Sequence, residues 1–266
     1  MEANHPLVQL VYSYLNWKTA SIKPIPKVAT QKLPADYRPI SITPVLTMVM
    51  ERLVVTQYLY PCFLAPPPSL SFTDQYAFRP TGSPTAAIIH LLHAISLLLT
   101  TSPHVAVISL DFSKAFDIVR HCTLLDRLAC LELPDEVYNW LVSFFEGHLH
   151  CTKFHQHASP IASIIQGSAV GPAAYIINMS NQNAIKPRNK IVKFADDTYI
   201  VVPTSNIHIH QAEINSIEQW ARKNNLTVNP SEYAKIVFRD NRWKVKVQAP
   251  KPYRDLSKAL PSKSSE

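Results

Sequence analysis

Residues 44–60, PVLTMVMERLVVTQYLY, carry apolar side chains at helical spacing. Pro44 stands at the start and Tyr60-Pro61 at the stop, so the stretch predicts a helix. A second helix is expected over residues 84–100, opened by Ser83-Pro84. HVAVISLDF, residues 104–112, is a nearly unbroken apolar run of β-branched type, the pattern of a strand buried on both faces. LPDEVYNWLVSFFEGH, residues 133–148, reads as a third helix, with Pro134 and two acids in its first turn and Gly147 at the C-cap position. KIVKFADDTYIVVP, residues 190–203, reads as strand, tight turn, strand. An amphipathic helix over 209–225 and a short strand, KIVF, complete the pattern.

Elsewhere the prolines set the layout, since there are 22 of them against 4 glycines. SIKPIPKVATQKLPADYRPISIT, residues 21–43, holds two short extended segments around a polar loop, because each X-Pro step disfavours helix. APPPS near residue 66 is a stiff loop. From residue 239 onward the chain is basic, rich in Pro and Ser and without a clear period, and it is expected to be a disordered tail. Helices and strands mixed around a sheet give an α+β class.

Composition narrows the functional classes. The 266 residues are 47% hydrophobic and 17% charged, enough for a sizeable core in one large or two small domains. The net charge of +7 favours polyanionic partners, nucleic acid before anionic membrane, although a solvated lysine-rich face has the same composition. Cys62, Cys122, Cys130 and Cys151 form no CxxC pair and read as free thiols of a reducing compartment. MEANHPLVQL has no positive flank before an apolar run, and AAIIHLLHAISLLL is too short to span a bilayer, so a soluble intracellular protein without a membrane partner is expected.

The candidate chemistry lies in carboxylates. Asp111 sits where the buried strand runs out, and Asp196 and Asp197 occupy the turn of an apolar hairpin. If the two strands are neighbours, three carboxylates meet at one sheet edge. Two carboxylates about 4 Å apart repel by roughly 4 kcal/mol at an effective dielectric of about 20. Protons or a divalent cation must offset that, and an all-oxygen donor set suits Mg²⁺ or Mn²⁺. The ordinary alternatives are turn chemistry for Asp196-Asp197 and a helix N-cap for Asp111. In SIIQGSAVGPAAYII, Gly167 and Gly171 are half of the chain's glycines, which suggests close backbone approach there or a helix start. HLHCTKFHQH packs His148, His150, Cys151, His155 and His157 together; strands with solvent-facing imidazoles account for it, and zinc is the rival reading.

LDFSKAFD, IIQGSAVGP and FADDTYIVV resemble, in order and approximate spacing, the reverse-transcriptase motifs of non-LTR (LINE-type) retrotransposons. PADYRPISITPVLTMVMERLV and DQYAFRPTGSPTAA resemble the fingers motifs of that family, and QWARKNNLTVN resembles the segment after its active site; the likeness runs over residues 15–238. The resemblance implies right-hand polymerase fingers and palm, with an antiparallel palm sheet and packed helices. It places fingers at 1–100, palm at 101–238 and the basic tail at 239–266, with no thumb following KIVF. It implies RNA-directed DNA polymerase activity with an RNA template, a DNA primer and dNTPs, and nuclear action. Asp111, Asp196 and Asp197 match the catalytic, metal-binding carboxylates. Phe116 matches an aromatic gate against the ribose 2′-hydroxyl, with a core Phe as the alternative. Lys27 and Arg38 match the residues that clamp the triphosphate, Gln166 and Gly167 the loop against the nascent base pair, and Arg79 a template or nucleotide contact.

Two positions depart from the family pattern. Glu232 stands where a Lys is common, with Lys235 three residues further on, and Asn181 stands where an Asp is common. Glu232, the missing thumb and the disordered-looking tail motivate a rival reading, a catalytically decayed remnant that at most binds nucleic acid. An RNA polymerase of the same architecture is disfavoured by Phe116. The sequence leaves the oligomeric state open.

Overall fold

The computed structural model describes residues 19–33, 36–113, 119–146, 149–152, 158–160, 167–240 and 242–243. A four-stranded antiparallel sheet holds the centre: β3 (His104–Leu110), β7 (Lys190–Phe194), β8 (Asp197–Pro203) and β10 (Ala234–Arg239), in the order β10-β3-β8-β7. β3 is buried on both faces, as its unbroken apolar run predicts. Val105 and Val107, with Val201 from β8, pack on one face against Ile95 and Leu98. Ile108 and Leu110, with Ile200 and Val202, face the larger core on the other side. This alternation fixes the register, because a one-residue slip would exchange the two faces. Val107 accordingly pairs with Val201 and Ile108 with Ile200.

Helices cover both faces. On one lies the helix that supplies Ile95 and Leu98 (Pro84–Leu99), its first turn capped by Ser83, which accepts from the Ala86 amide at 3.1 Å. The opposite face is covered by helices His121–Leu128, Asp135–Phe145, Val170–Asn178 and His210–Lys223. Their Leu, Ile, Phe and Trp side chains each contribute about 1.5–3 kcal/mol on full burial. In chain order the helices are α1 (Val45–Val54), α2 (Tyr60–Leu64), α3 (Pro84–Leu99), α4 (His121–Leu128), α5 (Asp135–Phe145), α6 (Val170–Asn178) and α7 (His210–Lys223). No helix among the described residues is long and apolar enough to cross a membrane.

The helix expected to stop at Tyr60-Pro61 instead runs on to Leu64. Between α1 and α2 the backbone widens into a π-helical turn over Val55–Leu59, in which the Tyr60 amide donates to the Val55 carbonyl. Proline removes a donor and crowds the carbonyl four residues back. A widened turn relieves that crowding, so Pro61 opens α2 instead of ending α1. Two elements in particular have no counterpart in the sequence reading. One is α4, whose N-cap residue Arg120 makes no side-chain cap. The other is β9 (Thr227–Val228), which pairs with β4 (Phe112–Ser113).

A second sheet has the order β2-β1-β5-β6, built from β1 (Thr19–Pro26), β2 (Tyr37–Ile42), β5 (Leu149–Thr152) and β6 (Ala158–Pro160). Strands from both ends of residues 19–160 meet in it, while α3 packs on the central sheet. The two sheets therefore do not part the chain at a single position. Of the tail expected from residue 239, Arg239 still belongs to β10, and the Asp240 amide donates to the Pro103 carbonyl at 3.2 Å. The side chains of the His/Cys run at 148–157 lie outside the described residues, as do Phe116 and Gln166.

Candidate active site

The carboxylates meet where the central sheet ends. β7 and β8 are joined by a two-residue turn, Ala195-Asp196, closed by the pair Phe194–Asp197. β3 pairs with β8 as far as Leu110–Thr198, so Asp111 directly follows the last paired residue of β3 and Asp197 directly precedes that of β8. The chain leaves the sheet at Asp111, whose carbonyl accepts from the Asn229 amide at 2.8 Å, and Phe112 then pairs with Val228.

Asp196 and Asp197 both feel the charge of Asp111. Burial raises the Asp196 carboxyl above the ordinary range, and the Asp111 and Asp197 charges add to the rise. Asp197 is raised by burial first, then by Asp111 and by Glu232. The Tyr175 phenol on α6, fully buried, is pushed well up by burial, and the charges of Asp196, Asp111 and Asp197 add to that rise. The floor of α6 therefore lies beneath the carboxylate edge.

Ala195 carries the strain of the turn, at φ 55°. That left-handed conformation costs a residue with a Cβ about 1–2 kcal/mol. Gln75, 1% exposed, brackets the residue: its Oε1 accepts from the Ala195 amide at 3.0 Å and its Nε2 donates to the Ala195 carbonyl at 3.3 Å. The same Oε1 accepts from the Ala77 amide at 3.0 Å. Behind the turn, Lys193 is fully buried and its ammonium lies 2.9 Å from Asp74 Oδ2, donating also to the Met179 and Gln182 carbonyls. Burial pushes Asp74 up and Lys193 down, each against the pull of the other's charge.

The other sequence-assigned residues are placed as follows. Gly167 is at φ 102°, and a Cβ there would lie 2.4 Å from the Ser41 carbonyl oxygen of β2. The close approach suggested by this glycine is thus one between the β1–β2 hairpin and the start of α6. Glu51 on α1 locks the same junction, accepting from the Ala169 amide at 2.6 Å; burial raises its carboxyl. Arg38 lies on β2 opposite Ile25, and Lys27 follows the end of β1; both are exposed at the far end of the hairpin. The loop between them is organised by Asp36, whose Oδ2 accepts from the Lys32 and Leu33 amides at 2.8 and 2.9 Å. Arg79 is turned inward, donating to the Phe72 and Gln75 carbonyls, so its observed partners are those of its own loop. Glu232 closes a 3₁₀ turn, Pro230–Glu232, capped by Asn229.

Residues 25–247 match the family described as Reverse transcriptase (RNA-dependent DNA polymerase). The chain belongs to the reverse transcriptase family. Among curated relatives, an RNA-directed DNA polymerase from the mobile element jockey of Drosophila melanogaster is 31% identical over 84% of this chain. A probable RNA-directed DNA polymerase from the transposon X-element of the same organism is 26% identical over 87% of it. The chain spans about a quarter of these relatives, 26% of each. Of solved structures, apo telomerase from Candida tropicalis, truncated from its C-terminal domain, shares the fold: TM-score 0.63 over 85% of this chain and 51% of that one, at 14% identity. Telomerase from the same organism with a fragment of telomeric RNA matches at TM-score 0.61 and 12% identity, over 83% of this chain and 41% of that one. The fold is the α+β fingers and palm of these polymerases.

Reverse transcriptases use divalent metal ions, and the donor chemistry of this reverse transcriptase domain fits one. Burial raises Asp196 and Asp197, and the Asp111 charge adds to both, a strain that a cation at that edge would relieve. Among the described residues no three His, Cys, Asp or Glu side chains are drawn together into a ready metal cage. Mg²⁺ does not require one, because it keeps several waters and takes one or two carboxylates plus substrate phosphates. The sequence reading missed Gln75, Asp74 and Lys193 in this domain. The available signal was Lys193 itself, a charge set inside the apolar run of β7.

Proposed function

We propose that the domain extends a DNA primer on an RNA template with deoxynucleoside triphosphates, Asp111, Asp196 and Asp197 being its catalytic carboxylates. The observation that carries this reading is that β3 ends just before Asp111 beside the β7–β8 turn, where Asp196 and Asp197 both feel the Asp111 charge. Mg²⁺ or Mn²⁺ bound there supplies the charge that activates the primer 3′-hydroxyl and neutralises the α-phosphate and leaving pyrophosphate. Tyr175 and α6 keep the underside of the carboxylate edge dry. Lys27 and Arg38 take the triphosphate, Lys as a point charge and Arg as a planar fork. Gly167, with Gln166, bounds the side where the new base pair forms, and Phe116 excludes the ribose 2′-hydroxyl.

Primer extension on an RNA template, with dNTPs and NTPs offered separately, tests the reading. It predicts incorporation of dNTPs well ahead of NTPs. A preference for NTPs would overturn the DNA-polymerase assignment and favour an RNA polymerase of the same architecture.

A second reading, a decayed copy that binds nucleic acid without extending it, is favoured by Glu232. Its charge reaches Asp197 and adds to the repulsion at that edge. A carboxylate there also opposes a departing pyrophosphate. Nucleic-acid binding without Mg²⁺-dependent extension is the result that selects this reading.

A further inference from the structure

We infer that Gln75 is a positioning residue for the metal-binding turn: its amide holds Ala195 in the left-handed conformation that presents Asp196 and Asp197. This rests on the polymerase reading of the site, and four observations carry it. First, Ala195 is the first residue of a two-residue hairpin turn at φ 55°, a position that favours glycine. The strain must therefore be offset by the surroundings. Second, both backbone groups of Ala195 are bonded by the same side chain, the amide at 3.0 Å and the carbonyl at 3.3 Å. A residue at this position of a two-residue turn lies outside the strand ladder, so these bonds satisfy groups the hairpin leaves over.

Third, Gln75 is itself immobilised. It is 1% exposed, and its Oε1 spends the second lone pair on the Ala77 amide at 3.0 Å. Fourth, its backbone runs beside β7 as a parallel bridge to Lys193. The Lys193 amide donates to the Asp74 carbonyl at 2.7 Å, and the Tyr76 amide donates to the Lys193 carbonyl at 2.9 Å. Gln75 is thereby registered against the hairpin two residues before the turn it grips. A side-chain amide fits the task because it offers an acceptor and a donor from one planar group. A carboxylate would meet the Ala195 carbonyl with an acceptor, and an apolar residue would leave both groups without these partners.

The proposal separates positioning from general stability through Ala195. Glycine reaches φ 55° without the Cβ penalty, so Ala195→Gly lets the turn keep its shape when the clamp is gone. The experiment uses the full chain as wild type, Gln75→Leu, and Gln75→Leu with Ala195→Gly. Two quantities are read: Mn²⁺ affinity by electron paramagnetic resonance, and amide hydrogen exchange at Ala195 against Val192 and Ile200. In Gln75→Leu the expected result is exchange at Ala195 accelerated tenfold or more with Val192 and Ile200 nearly unchanged, and Mn²⁺ affinity weakened about tenfold. The double variant is expected to regain most of the Mn²⁺ affinity while Ala195 still exchanges fast, its amide proton having no side-chain acceptor at residue 75.

Equal acceleration at all three amides would mean general loosening and would overturn the proposal. So would unchanged Mn²⁺ affinity in Gln75→Leu, or a double variant that regains none. A wild-type chain that takes up no Mn²⁺ would overturn the polymerase reading and the metal-presenting role with it. Intact uptake in Gln75→Leu would overturn the clamp alone.

Discussion

Asp196→Asn is expected to reduce Mg²⁺-dependent extension on the order of a thousandfold or more, while making the metal-free protein more stable. The two effects share a cause. Asp196 is raised by burial, with the Asp111 and Asp197 charges adding, so its ionised form is disfavoured in the fold. A carboxyl whose folded value is raised contributes stability below its unfolded value and loses it as pH rises through the folded value. At pH 7 without metal that contribution is gone, and the charge at the turn is a liability. Asparagine keeps the shape and removes the charge. Thermal denaturation in chelator at pH 7 is therefore expected to show a melting temperature about 2–4 °C higher, the shift that ~1 kcal/mol produces in a domain of this size class. The gain is expected to shrink near pH 4, where the wild-type carboxyl also becomes protonated. Added Mg²⁺ should stabilise the wild type and not the variant, since a ligand stabilises only the state that binds it. A lower melting temperature in chelator would mean that Asp196 holds the turn structurally.

The second large effect lies just behind the same turn. Asp74→Ala leaves the Lys193 ammonium fully buried with only the Met179 and Gln182 carbonyls as acceptors. Removing one partner of a buried pair costs about 3–5 kcal/mol, because the remaining charge stays in the interior unpaired. Urea denaturation is expected to show that loss at pH 7, and a smaller loss in Asp74→Ala with Lys193→Met, where no charge remains. The pH dependence has a definite sign. Lys193 is lowered by burial, so in the fold it sheds its proton before it does in the unfolded chain. A depressed lysine stabilises the fold at high pH and loses that contribution as pH falls. The Asp74→Ala deficit should therefore shrink between pH 7 and pH 10. A constant deficit would mean that the lysine finds another partner or reaches solvent.

The central sheet was legible because burial on both faces leaves an unmistakable pattern. HVAVISL has room for nothing polar except Ser109 and the terminal His104, and the apolar flanks of ADD fix a hairpin. The three carboxylates were expected at one edge if the two strands were neighbours, and β3 does pair with β8. What stayed hidden falls into two kinds. One is local structure with a weak signal: α4 has no capping side chain, β9 is two residues long, and Pro61 is accommodated by a π-turn where a helix stop was expected. The other is polar residues used inside. Glu51 and Glu213 lie on helices that the sequence pattern locates, yet both are fully buried and accept backbone amides. Arg127 is similar: its guanidinium donates to the Asn178 carbonyl at 2.6 Å and to the Asn178 and Asn224 side chains, tying α4 to the ends of α6 and α7. Burial holds its pKa down to about 10. Such residues differ from surface charges only in what the fold brings to them.

Glycine shows the same division. The scarcity of glycine marked Gly167 as a place of close approach, and the structure supplies the partner, the Ser41 carbonyl. In the β7–β8 turn the first position, at a positive φ that favours glycine, is held by Ala195. The compensation comes from Gln75, 120 residues away in the chain.

The most direct measurement is extension of a DNA primer on an RNA template by the purified chain with dNTPs and Mg²⁺, run beside Asp111→Asn. Extension by the wild type that is lost in the variant is the predicted result. Equal extension by both would contradict the assignment of the carboxylate edge as the site, and no extension from a folded wild-type chain would contradict its polymerase function.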